Sequence, residues 1–399
     1  MKFKQWTRPV AIAMIACLQA VVFSADDYPK PIAVFTGGAE EIEGVEDGRA
    51  QFPQFREQCI AVTNDGTIVV VCQARNKSRW SDRSGQDLVV KTSGDNGSTW
   101  SGAVQIATHG LQSICPQAIV YDSEVDRLHV LYNLFQWDYT NVPSDIRGEM
   151  GDLHCRQFQI SSNDNGRTWT APRDISEMVK TGGAVMVVGS GEGIQLKQGE
   201  HRGRLIVAGG DFYQGKKVLC FYSDDHGKTW QRSNVVPWEG KVHWASESKV
   251  AELNDGTLVL NSRTFVDNGT KQRLRTRAFS TDGGTTWSML ENDPALKTVS
   301  CNGSLIAFDV PGKEDSTEKL LLCSVPVGPG RTHGTVYVSR DGGRTWPIRR
   351  LVVPGLFAYS SLMELPDGRI GLFYETRGHL DIELVRFTVD WLLAGAAED

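Results

Sequence analysis

Five copies of an S-x-D-x-G-x-T-W string, in a glycine-rich chain with little helical periodicity, predict an all-β fold. The spacing of the copies makes it a six-bladed β-propeller of four-stranded antiparallel blades. The copies start at Ser93, Ser162, Ser223, Ser280 and Ser339 and end at Trp100, Trp169, Trp230, Trp287 and Trp346. Each follows a short β-rich run, such as residues 88–92 or 334–338. Within each copy the Asp bonds backbone N–H groups of a tight turn, the Gly accepts positive φ and the Trp packs into a core. The string is a strand connection fixed by its own side chains.

Successive serines are 69, 61, 57 and 59 residues apart. A unit of about 60 residues holds four short strands and their turns, which is one blade. Residues 51–399 then have room for six units, so one blade lacks the motif. The longest interval contains a polar, turn-rich insertion at 138–152, read as a rim loop. A short helical turn is expected at 389–393. Residues 25–50, rich in Gly and Glu, form a lead-in expected to close the ring with the last blade.

Residues 1–24 read as a secretory signal. Lys2, Lys4 and Arg8 precede an apolar run from Val10 to Val22, and small residues at Ser24 and Ala25 offer a cleavage site. The run is shorter than the ~20 residues a spanning helix needs, so no membrane span is expected. Export to the periplasm or the medium follows. Lipoprotein anchoring at Cys17 would leave another apolar segment after the cut, which favours simple cleavage.

Removing three positive charges takes the net charge from −6 to −9. That sign, with no basic tract, argues against nucleic acid as a partner. An anionic substrate must then be captured by a local arginine cluster, against the field of the whole protein. Seven cysteines remain, with no C-x-x-C spacing for zinc, and several sit in apolar runs as small hydrophobes. No metal or other cofactor is implied. H-E-x-x-H, P-loop and G-x-S-x-G motifs are missing, and residues 189–193 lack the last glycine of a dinucleotide fingerprint.

What stands out is a set of arginines, carboxylates and one tyrosine spread over successive units, which a propeller can gather at its axis. Phe55-Arg56 before an apolar strand and Gln73-Ala-Arg75 resemble the opening segment of the sialidase (neuraminidase) superfamily. Ser81-Asp82, ahead of the first repeat, resembles its acid/base loop, and residues 191–196 another segment near the site. Residues 247–263, from Glu247 to Arg263, are similar to the segment with the catalytic glutamate and second arginine. Gly330-Arg331 resembles the third-arginine segment, and Ala358-Tyr359-Ser-Ser-Leu the nucleophile strand. The resemblance covers nearly all of the chain after the signal.

The resemblance implies that Arg56, Arg263 and Arg331 grip the substrate carboxylate, with Arg75 lining the pocket or pairing with Asp82 or Asp87. It implies Tyr359 as nucleophile, Glu247 as its base and Asp82 as acid/base. The chemistry is coherent. Planar guanidinium groups bind a carboxylate bidentately. A neutral phenol approaches an anomeric carbon bearing a carboxylate without charge repulsion, which is why sialidases depart from the two-carboxylate rule. One departure concerns Glu57-Gln58, where the family usually has Ile-Pro. Strand alternation points Glu57 away from the side Arg56 faces.

Other acids receive structural readings: Asp87 as a turn acid able to exchange roles with Asp82, Glu252 as solvent-facing, Tyr374 and Glu375 as core. The repeated Asp residues serve turns, and His243 and His333 have no assigned role. The expected function is an exported, retaining exo-α-sialidase acting on sialylated glycans or glycoproteins. A non-catalytic sialic-acid-binding propeller is the alternative, as is a trans-sialidase or a hydrolase of a related 2-keto sugar acid.

Overall fold

The computed structural model describes residues 28–45, 52–75, 85–110, 112–135, 155–180, 186–188, 191–211, 217–239, 245–264, 273–310, 319–394 and 397–398. Asp82, His243, the insertion at 138–152 and the signal segment lie outside the described residues.

Six antiparallel sheets form the blades. Blade I contains β3 (Gln54–Val62), β4 (Ile68–Arg75), β5 (Gln86–Ser93) and β6 (Ala103–Ala107). Blade II contains β7 (Ser113–Asp122), β8 (Arg127–Phe135), β9 (Cys155–Ser162) and β10 (Arg173–Asp174). In blade III the innermost strand is broken into β11 (Met186–Val188) and β12 (Ile194–Gln195), both paired with β13 (Leu205–Asp211). Strands β14 (Lys217–Ser223) and β15 (Gln231–Arg232) complete it. Blade IV contains β16 (Ser248–Glu252), β17 (Leu258–Ser262), β18 (Arg273–Ser280) and β19 (Glu291–Thr298). Blade V contains β20 (Ser304–Asp309), β21 (Lys319–Pro326), β22 (Thr332–Ser339) and β23 (Ile348–Leu356). Blade VI contains β24 (Ser360–Glu364), β25 (Ile370–Thr376) and β26 (Asp381–Phe387), with β1 (Ile32–Phe35) as its outer strand. Two-residue strands β2 (Ile42–Glu43) and β27 (Ala397–Glu398) extend blades I and V. The C-terminal turn is the helix α2 (Val389–Ala394), preceded in the chain by the four-residue α1 (Ser176–Val179).

The inner strands touch in cyclic order, β3 to β7, β12, β16, β20, β24 and back to β3, so the ring is closed. The middle strands are buried on both faces, as the unbroken burial of Ile68–Arg75 shows. Such strands read as apolar runs, because both faces meet another sheet. Six apolar clusters fill the six blade–blade interfaces; one joins Ile60, Val70 and Phe373 across blades I and VI.

The repeats connect the third and fourth strands of blades I to V. In each, the Ser hydroxyl bonds the Asp, and the Thr backbone N–H and hydroxyl both donate to the Asp carboxylate. Partial desolvation opposes ionisation of Asp164, Asp225, Asp282 and Asp341, but these bonds prevail and hold the carboxyls below their usual range. The repeat glycine also packs on the preceding blade. At Gly284, with φ +82°, an added Cβ would stand 2.3 Å from Ile206 Cδ1. Blade VI has no repeat for a topological reason. Its third and fourth strands, β26 and β1, come from opposite ends of the chain, so no connection exists there to carry one.

Candidate active site

Hairpin registers bring Arg56, Glu247, Arg263, Arg331 and Tyr359 together at one end of the ring. Glu247 just precedes β16 and Arg263 just follows β17, and the Arg263 N–H donates to the Glu247 carbonyl at 2.9 Å. Tyr359 just precedes β24, opposite the end of β25, where the Glu375 N–H donates to its carbonyl at 2.9 Å. Arg331 precedes β22, and its carbonyl accepts the Phe357 N–H at 3.0 Å. Strand ends in blades I, IV, V and VI thus supply one centre.

The centre is the Tyr359 phenol. Its hydroxyl donates to Glu247 Oε1 in a short hydrogen bond and accepts from Arg263 Nη1 at 2.8 Å. Arg263 Nη1 also donates to Glu247 Oε2 at 2.7 Å. Three guanidinium carbons surround the Tyr359 ring, those of Arg56, Arg263 and Arg331 at 5.2, 5.9 and 5.2 Å from its centroid. Burial and the Glu247 charge push the phenol's pKa well above its usual value, with the arginines opposing. At neutral pH Tyr359 is therefore protonated, and Glu247 is the acceptor already bonded to its proton. Burial opposes the charge of Arg263, yet the Glu247 carboxylate bonded to it outweighs burial and holds the guanidinium protonated.

Supporting residues fix the arginines. Both oxygens of the buried Glu375 accept from Arg56, Nε and Nη2 each at 3.1 Å. Glu375 also accepts the Glu57 N–H at 2.9 Å and bonds His379 Nδ1 at 2.9 Å. Burial pushes this carboxyl up, but Arg56 and His379 more than offset that and hold it far below its usual range. Glu375 is buried, as expected of a core residue, and there it anchors Arg56. The Ser300 hydroxyl accepts from Arg263 Nε and Nη2, and its carbonyl accepts from Arg331 Nη2. Sequence reasoning missed Ser300, which no motif marks. Glu375 did leave a signal, since an acid ending the apolar run Ile370–Thr376 needs a buried cation.

Several expectations need correction. Arg75 does not reach the open site: it is fully buried and bonds Gln73 Oε1 at 2.6 Å and Glu57 Oε1 at 3.3 Å. Glu57 does not turn away from the site. The register jumps between Arg56↔Gln73 and Cys59↔Val71, a bulge in which Glu57 takes φ +57° and alternation fails. Its charge acts on Tyr359, and Gln58 Nε2 donates to the Tyr359 carbonyl at 2.9 Å. Asp87 is buried in β5, accepting from Gln105 and Thr108 of its own blade. Glu252 is buried, capping the N–H groups of Lys197 and Gln198. His333 bonds Thr332 Oγ1 at 2.8 Å. Six of the seven described cysteines are buried, and Cys115 is partly exposed.

Clefts elsewhere among the described residues are lined by other side chains. One of about 480 Å³ lies between Val62, Tyr121, Gln195 and Met363, past the opposite ends of the inner strands.

Comparisons with known proteins agree with this picture. The family described as BNR repeat-like domain matches residues 86–372. A sialidase of Micromonospora viridifaciens is 32% identical over 366 residues, 87% of this chain and 53% of the relative. One from Bacteroides fragilis is 27% identical over 83% of this chain and 62% of its own length. The chain therefore spans little more than half of these relatives. Among solved structures, the Hadza microbial sialidase Hz136 superposes with TM-score 0.73 at 24% identity, covering 85% of this chain and 66% of that one. The intramolecular trans-sialidase of Ruminococcus gnavus gives 0.70 at 21% identity, covering 85% and 95%. At these identities the likeness is one of fold. With its repeats, its family match and its relatives, the chain belongs to the sialidase superfamily of BNR-repeat propellers.

Proposed function

We propose that this protein is a retaining exo-α-sialidase that removes terminal sialic acids from glycans and glycoproteins. The observation that carries the reading is the Tyr359 phenol bonded to Glu247 and encircled by the guanidinium groups of Arg56, Arg263 and Arg331.

The arginines bind the sugar carboxylate, which sets the anomeric carbon against the phenol. Tyr359 attacks that carbon as Glu247 takes its proton, and Asp82 protonates the departing glycosidic oxygen. The product is a tyrosyl-sugar and a free aglycone alcohol. Asp82, now a carboxylate, takes a proton from water, whose oxygen attacks the same carbon from the aglycone side. The phenolate leaves and regains its proton from Glu247. Two inversions give net retention. Residues 1–24 direct export, the reading favoured by their charge and apolar run.

Incubation with a fluorogenic α-sialoside tests the proposal, with the first-formed anomer read by NMR. Fluorophore release with the α-anomer appearing first is expected. Binding of the sugar without release, across pH and several sialic acids, would establish the lectin alternative instead. A 2,7-anhydro or transferred product would identify a trans-sialidase.

A further inference from the structure

The bulge after Arg56 brings into the site a carboxylate for which the resemblance assigns no role. Glu57 keeps 10% of its side chain exposed, as do Arg56 and Arg263 at 10% and Glu247 at 12%, whereas Arg75 behind it keeps 1%. The chain neighbours of Glu57 bracket Tyr359, Arg56 against the ring and Gln58 on the carbonyl, and its own charge acts on the phenol, so Glu57 stands at the same centre.

The carboxylate is held on two sides. Oε1 accepts from Arg75 Nη2 at 3.3 Å, and Oε2 lies 2.8 Å from Cys115 Sγ of β7. The Glu57 backbone is tied to Glu375, and through it to Arg56. Arg75 itself is fixed by Gln73. A carboxylate braced in this way is pre-organised to meet a ligand group.

We propose that Glu57 is a specificity-determining residue that accepts a hydrogen bond from a donor substituent of the sugar, a hydroxyl or an ammonium. This rests on the sialidase reading. The sugar carboxylate is gripped by Arg56, Arg263 and Arg331, and Glu57 follows Arg56 in the chain with its carboxylate braced against Cys115, so a fixed acceptor stands next to the carboxylate clamp. An ionised carboxylate only accepts hydrogen bonds. A hydroxyl facing it is bound, while an ester or ether at the same position leaves Glu57 without that bond and crowds it. Arg75, expected to line the pocket, acts through Glu57 as a positioning residue.

The test measures kcat/KM of the full chain for a fluorogenic α-sialoside and for mono-O-acetylated and mono-deoxy versions at each hydroxyl. Wild type should lose roughly 10- to 150-fold when one particular hydroxyl is masked, the range of a charge-assisted hydrogen bond. Glu57→Gln should bring that one ratio to within about threefold of unity while the ratios at other positions persist. Cys115→Ala, which loosens the carboxylate without removing it, should give an intermediate ratio at the same position, and it serves if Glu57→Gln does not fold. Ratios equal in wild type and variants at every position would overturn the proposal. Wild type that turns over none of the sialosides would overturn the sialidase reading itself, a separate and visible failure.

Discussion

Replacing Glu375 with glutamine separates the anchor of Arg56 from everything else in the site. Glu375 receives two guanidinium N–H groups, a backbone N–H and a contact from His379, with no exposure to water. Glutamine keeps the volume and one acceptor oxygen but turns a donor towards Arg56 and removes the counter-charge. Loss of one charge-assisted hydrogen bond costs about 1.5–3 kcal/mol, or roughly 10- to 150-fold in kcat/KM if Arg56 can no longer hold its plane. The loss should appear mainly in KM, because the sugar carboxylate is gripped alike before and during reaction.

The assay is steady-state hydrolysis of the fluorogenic sialoside alongside a thermal melt. The folded-state pKa of Glu375 lies below its unfolded value, so its stabilisation is complete above the ordinary carboxylate range. It is lost as pH falls through the depressed value. Wild type should therefore lose more Tm on acidification than the variant. A folded Glu375→Gln protein with kcat/KM within twofold of wild type would refute the anchoring argument.

Two further substitutions probe chemistry and fold separately. Tyr359→Phe should lower kcat by at least 100-fold and shift Tm by only a few degrees, since Glu247 keeps its Arg263 contact; steady-state kinetics and a melt check both. Gly284→Ala should destabilise the protein by about 1–3 kcal/mol, because the methyl group meets Ile206 at a positive-φ site. A denaturant titration reads that cost, and activity per folded molecule should be unchanged, as blade packing is separate from the site.

The architecture was legible because the repeat combines a local turn with a period. The lead-in at 25–50 closes the ring as expected, through β1; what the period does not explain is the missing sixth repeat, which reflects a blade assembled from both chain ends. The residues converging on Tyr359 were readable only by resemblance, since Arg56 and Glu375 are 319 residues apart. Glu57 was misplaced for a physical reason. Alternation with a period of two holds only while the ladder is regular, and a bulge inserts a residue that reverses which side the next one faces. Glu252 reads as solvent-facing and Asp87 as a turn acid in sequence, yet each accepts from donors that the fold packs around it.

The nucleophile can be trapped directly by treating the protein with a sialosyl fluoride fluorinated at C3, then digesting and sequencing it by mass spectrometry. A sugar adduct on the peptide containing Tyr359, absent from Tyr359→Phe, is the outcome these contacts require. Turnover of the reagent with the label on Glu247 or another carboxylate, or with no covalent label at all, would contradict them.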